Sequence, residues 1–285
     1  MRNPFLTYHP AVAFVYLACA IAFTMAIMQP VYAALSLAGA VACSCVTRGV
    51  RKTLRTLGGV AVLACIAAAA NVVFVAAGST ELFRVGARAF YLESLVYGVC
   101  SGCMLASVLL WFSSYAACMG SDASMALFGN VAPTVTLMVS QVLRLVPQFV
   151  ARGRTIVASQ DAVTSAEART KRDAASDRLR AISVLAGWGM EDGLVRGDAM
   201  RARGYGCGVR RTTYKRYRIR RADAAVLAAV FALAIANVPC AWFAVSGFSF
   251  YPALEGFAPL WAYAPYVLLM AVAPALALKE WWQWR

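Results

Sequence analysis

Six stretches of this chain, residues 11–28, 31–47, 57–77, 95–119, 224–247 and 256–278, contain no Asp, Glu, Lys or Arg. At 1.5 Å per residue each can cross a hydrocarbon core of about 30 Å, the second only marginally. Hydrocarbon offers no water to unpaired N–H and C=O groups, so only helices and closed barrels span it. Long apolar runs, rather than alternating strands of about ten residues, select helices. The pattern predicts an all-α integral membrane protein with about six transmembrane helices. Composition agrees: 61% of the 285 residues are hydrophobic and 14% are charged, against about 25% charged in soluble domains. A soluble globule and a disordered chain are both excluded.

The net charge of +14 is distributed unevenly. The start carries Arg2, and the first connection carries no cation. The second carries Arg48, Arg51, Lys52 and Arg55. The third has Arg84 and Arg88, balanced by Glu81 and Glu93. Residues 120–223 hold 18 of the 27 Lys and Arg against nine acids, a net of +9. The fifth connection has none, and the tail has Lys279 and Arg285. Connections rich and poor in cations alternate, so the positive-inside rule predicts that both termini and the 120–223 segment are cytoplasmic. Three regions follow: four N-terminal transmembrane helices in 1–119, an amphipathic and cytoplasmic helical region in 120–223, and two C-terminal transmembrane helices with a tail in 224–285. The N-terminal run after Arg2 is a first span rather than a cleaved signal, because five more spans follow.

Eight of the nine cysteines fall in the apolar runs, and only Cys207 lies in the basic segment. Cys100 and Cys103 form a C-x-x-C, which raises redox or metal chemistry. The pair is mid-span, however, and the only histidine is His9, so these cysteines are expected to act as small hydrophobes. Ser94, Gly98, Gly102 and Ala106 recur every fourth residue, a small-residue stripe that lets membrane helices approach closely, within the chain or with a partner.

In the basic region, Phe128, Val131, Val135, Met138, Val142, Leu145 and Phe149 follow helical spacing, with Gln141, Arg144 and Gln148 off that stripe. The spacing predicts a long amphipathic helix half-sunk in the membrane interface, with Pro133 and Pro147 as joints. A second amphipathic stretch takes in Leu179, Ile182, Leu185, Trp188, Leu194 and Val195. Gly204 and Gly206 are placed to end it in a left-handed cap. The run from Arg210 to Arg221 suits anionic lipid headgroups, worth about 1 kcal/mol per basic residue near the surface. With Tyr214 and Tyr217 interleaved, it also allows a membrane-anchored module that binds nucleic acid or anionic lipid.

Several chemistries lack their residues. The segment Thr47-Arg-Gly-Val-Arg-Lys-Thr53 lacks the glycine and spacing of a P-loop, so the chain has no cradle for a triphosphate. One histidine at position 9 offers no Ser/His/Asp set, and no acid lies inside an apolar run to relay protons or sodium ions. No catalytic residue, metal site or cofactor is expected, and a lipid-processing enzyme ranks last.

Leu143-Arg-Leu-Val-Pro147, then Asp198-Ala-Met-Arg-Ala-Arg-Gly-Tyr-Gly206 and the Arg-Arg-Thr-Thr run, together with His9-Pro10 before the first span, resemble a known family. It is the transmembrane T component (EcfT/CbiQ-like) of energy-coupling-factor (ECF) transporters, a group that includes cobalt-uptake subunits. The resemblance implies a non-catalytic coupling subunit of an ABC importer. Its expected partners are two cytoplasmic ABC ATPases, a membrane-embedded S component that captures a vitamin or metal ion, and anionic lipids. Nucleic acid is not expected. In the family, coupling helices end in Ala-Arg-Gly motifs that seat in the ATPases. Ala202, Arg203 and Gly204 match the second motif, with Arg203 the implied anchor. The first motif aligns on Ala162-Val163-Thr164, which has neither its Arg nor its Gly. Arg152, in Ala151-Arg-Gly153, and Arg169 are possible substitutes. Arg201 stands where the family usually has an acid.

Overall fold

A computed structural model describes residues 5, 7–75, 78–85, 88–129, 132–163, 171–208, 217–251, 256 and 258–283. The described helices are α1 (Pro10–Ala26), α2 (Pro30–Arg48), α3 (Val50–Phe74), α4 (Leu92–Cys118), α5 (Ser121–Phe128), α6 (Pro133–Val163), α7 (Lys171–Ala202), α8 (Arg221–Ser246) and α9 (Leu260–Gln283). A short antiparallel hairpin, β1 (Glu81–Val85) with β2 (Arg88–Tyr91), separates α3 from α4. The chain is a helical membrane protein, and it forms two compact units: residues 1–127 with 217–285, and residues 128–216.

Among the described residues, six helices are long and apolar enough to cross a membrane: α2, α3, α4, α6, α8 and α9. The first apolar run forms α1, which at 17 residues is the short member of the set. In its place α6 meets the criterion, at a mean hydropathy of 1.3. Most of its polar residues in the first half are Gln, Ser and Thr rather than charges. On α9, Trp261 and Trp281 lie 20 positions apart, about 30 Å along a helix. That spacing puts an indole at each face of a hydrocarbon core, where tryptophan concentrates.

In the first unit, Pro10 and Pro30 open α1 and α2 at the first helical position, where no N–H is needed. His9 caps α1: its Nδ1 accepts the Ala11 N–H at 3.1 Å. The buried Asp223, in the first turn of α8, accepts the Arg220 N–H at 2.9 Å and the His9 N–H at 3.3 Å. One carboxylate therefore ties the starts of α1 and α8 together, at helix ends where negative charge is favoured.

The core of this unit is aromatic and sparsely polar. Trp111, Tyr16, Tyr32, Tyr266, Leu17, Leu110 and Leu269 are fully buried. Ser36 on α2 meets the Thr24 hydroxyl of α1 at 2.6 Å and accepts the Trp111 indole N–H of α4 at 3.3 Å. Such bonds between membrane helices are worth up to about 1–2 kcal/mol each. Proline shapes a further contact. Pro274 has no N–H to give the carbonyl of Met270 one turn earlier. The Tyr16 hydroxyl of α1 donates to that carbonyl across 3.4 Å.

The small-residue stripe on α4 meets α3. A Cβ on Gly98 would lie 2.8 Å from the Ala68 carbonyl oxygen, and one on Gly102 would lie 2.7 Å from that of Ala64. Ser94 and Ala106 are buried. The Asn71 amide of α3 donates to the Ser101 hydroxyl of α4 at 3.0 Å. Cys100 is buried and Cys103 half-buried, and no group of three or more metal-ligating side chains is found among the described residues.

Two outcomes test this packing. Gly102→Val should destabilise the protein by about 1–3 kcal/mol, measured by thermal unfolding in detergent. Tyr16→Phe should cost about 1 kcal/mol. Much of that penalty should vanish when Tyr16→Phe is combined with Pro274→Ala, because the second change restores a backbone N–H to serve the Met270 carbonyl.

Candidate functional site: the α6–α7 hairpin and its capped end

The second unit pairs α6 with α7 antiparallel. Phe149 meets Trp188 edge-on with centroids 5.2 Å apart, and Arg152 places its guanidinium 3.8 Å over the Trp188 ring. Gly189 makes room: a Cβ there would lie 2.6 Å from Phe149 Cζ. Further along, Arg196 donates to Gln148 Oε1 at 2.6 Å and pairs with Asp192 at 2.5 Å. The Gln141 amide approaches the Met200 sulfur at 3.3 Å.

These contacts revise the expected faces of α6. Gln141 and Gln148, which fall off the apolar stripe, point at α7. Leu145 and Phe149 are half-buried, whereas Val135, Met138 and Val142 of the same stripe are exposed. The seam is thus partly polar, and much of the outer surface is apolar. On α7, Leu179, Ile182, Leu194 and Val195 are likewise exposed, while Leu185 and Trp188 turn inward. Spacing identified the helices, but a helix with apolar residues on more than one side does not declare which side its neighbour takes.

The end of α7 is defined by backbone bonds. The Tyr205 N–H donates to the Met200 carbonyl at 3.0 Å, and the Gly204 N–H to that of Arg201 at 2.9 Å. This pair of bonds is a Schellman motif, with Arg203 as the cap residue. Gly204 takes the left-handed conformation that the motif requires, at φ 84°. Ala202, Arg203 and Gly204 are all exposed. The Arg203 guanidinium has no carboxylate partner among the described residues, and the negative end of the α7 dipole favours its charge there. Arg203 is thus a cation on a stiff support, projecting from a helix terminus.

The other candidates sit differently. Arg152 lies within α6 rather than at its end, over Trp188. Val163, at the aligned position of the first motif, is the last residue of α6 and is 88% exposed. Arg169 and Tyr214 lie outside the described residues, as does most of the run from Arg210 to Arg221. Tyr217 stands edge-on to His9 with centroids 5.8 Å apart. The Asp192–Arg196 pair was legible from its four-residue spacing. The Arg152–Trp188 contact had no local signal, because its partners are on different helices.

No family model matches the chain, and comparison with curated proteins returns no match.

The cap generates a paired expectation. Gly204→Ala should destabilise the end of α7 by about 1–2 kcal/mol, seen as faster amide exchange at Gly204 and Tyr205. Gly193→Ala lies inside α7, with open space at the new Cβ. It should slow exchange instead, because alanine favours a helix by about 0.5–1 kcal/mol over glycine.

Proposed function

We propose that this protein is the membrane coupling subunit of an ECF-type ABC importer. It transmits the ATP-driven motion of two cytoplasmic ATPase subunits to an S component that carries a vitamin or metal ion. The observation that carries this function is Arg203: exposed, without a carboxylate partner among the described residues, and held by a Schellman cap at the end of a 32-residue helix. A planar guanidinium can pair with a carboxylate through two parallel hydrogen bonds. A residue at a helix end passes on movement that a free loop would absorb. The sequence match at Ala202-Arg203-Gly204 and the five membrane-length helices outside the 120–223 segment, α2, α3, α4, α8 and α9, support the same function. The chain itself is non-catalytic, and ATP hydrolysis belongs to its partners.

Under this proposal both termini and the 120–223 segment are cytoplasmic. With the other eight cysteines replaced, Cys207 should resist a membrane-impermeant thiol reagent on intact cells and react after permeabilisation. Labelling of intact cells would reverse the orientation.

The coupling contact has its own test. The protein should copurify with two ATPase subunits in mild detergent. Arg203→Glu should release one of them and separate ATP hydrolysis from uptake, since losing one partner of a desolvated charge pair costs roughly 2–5 kcal/mol. Val163→Ala should leave docking nearly unchanged, because the first motif's arginine is absent there. Full transport with Arg203→Glu would sink the proposal.

A further inference from the structure

The turn from α2 to α3 carries charge that the proposed coupling function does not use. Arg48 ends α2, the single residue Gly49 makes the turn, and Arg51, Lys52 and Arg55 lie in the first two turns of α3. The first acidic residue in the chain is Glu81. None of these four cations has a carboxylate partner among the described residues. Arg48 donates instead to the hydroxyls of Thr56 and Ser113. Arg51, Lys52 and Arg55 are exposed.

This arrangement is unfavourable in isolation. Cations at a helix start oppose the helix dipole, and α3 has no acid in its first turn. Arg51 and Arg55 are also four residues apart, so like charges share one face. Thr53 fixes which face that is. It is buried and meets the Ser44 hydroxyl of α2 at 3.0 Å, which turns Arg51 and Arg55 outward.

The next turn on that outward face is Gly58-Gly59. Both are exposed, both have helical backbone, and a Cβ on either would meet nothing within 4 Å. Neither close packing nor a left-handed conformation accounts for them, although each weakens the helix by about 1 kcal/mol relative to alanine. They lie just inside the uncharged run of residues 57–77. Side chains are therefore missing where the hydrocarbon begins, directly below the cations.

We propose that Arg51, Lys52 and Arg55, with Gly58 and Gly59, form a binding site for one anionic phospholipid. The cations hold its phosphate, and the bare glycine surface receives its glycerol and the first carbons of its chains. Arg48, fixed by Thr56 and Ser113, adds positive field behind the phosphate. The continuity of the cationic patch with a bare glycine surface at the start of the uncharged run selects a lipid over a soluble acidic protein. The inference rests on the membrane architecture alone and is independent of the transporter proposal.

The test uses the full chain in phosphatidylcholine nanodiscs, with Leu54→Trp as a reporter beside the patch. Quenching by brominated phosphatidylglycerol is compared with quenching by brominated phosphatidylcholine, and the signal of the protein without the reporter is subtracted. Anionic lipid should be enriched several-fold around the reporter indole. Each charge removed should weaken that enrichment, and R51Q/K52Q/R55Q should abolish it. R84Q/R88Q, beyond the other end of α3, should leave it intact. G58L/G59L keeps the charge and improves helix propensity, so a loss of enrichment there reports a covered glycine surface rather than unfolding. Inorganic phosphate should not displace the lipid. Equal quenching by the two lipids, enrichment that survives either the triple or the double variant, or displacement by phosphate would each overturn the site.

Discussion

A backbone carbonyl left without a donor inside hydrocarbon has no water to turn to, and much of this structure follows from that constraint. It makes the apolar runs helical. It also sets a condition on the prolines inside α6, α8 and α9, because each removes one donor from its ladder. At Pro274 the condition is met from another helix, by the Tyr16 hydroxyl on the Met270 carbonyl. The gap in one helix's ladder thus becomes a contact with another. The Thr24–Ser36–Trp111 bonds satisfy polar groups in the same way across α1, α2 and α4.

The two units meet their environments in different ways. In the first, small residues and shared hydroxyls draw helices together, as where Gly98 and Gly102 bring α4 onto the backbone of α3. In the second, two long helices pair through a cation stacked on an indole and through two glutamine amides, and leave many valines and leucines on the outside. A polar seam with an apolar exterior suits a hairpin whose outer faces meet apolar surroundings, lipid or protein. Against that exterior, the polar Arg203 on its cap is a distinct chemical feature.

Much of this was legible along the chain, because the signals are local. Absence of charge over a membrane-length run is visible without any neighbour, and so is a small residue at every fourth position. Gly204 after a helical stretch indicates a left-handed cap, and the cap is present. What escaped depended on partners distant in sequence. The Asp223 carboxylate reaches His9, over two hundred residues away. The seam of α6 uses Gln141 and Gln148 rather than the valines that dominate its apolar stripe.

The sequence by itself determined the solvent, the helices and the distribution of charge, since each follows from what single residues cost in hydrocarbon or water. Motif matching also singled out Arg203. Tertiary structure decided which faces meet. It turned α4's glycines onto α3, directed α6's glutamines at α7, and left Gly58 and Gly59 bare beneath three cations. Those outcomes could not be read from periodicity, because a helix with apolar or small residues on several sides has several ways to pack. The choice among them depends on side chains contributed by other helices.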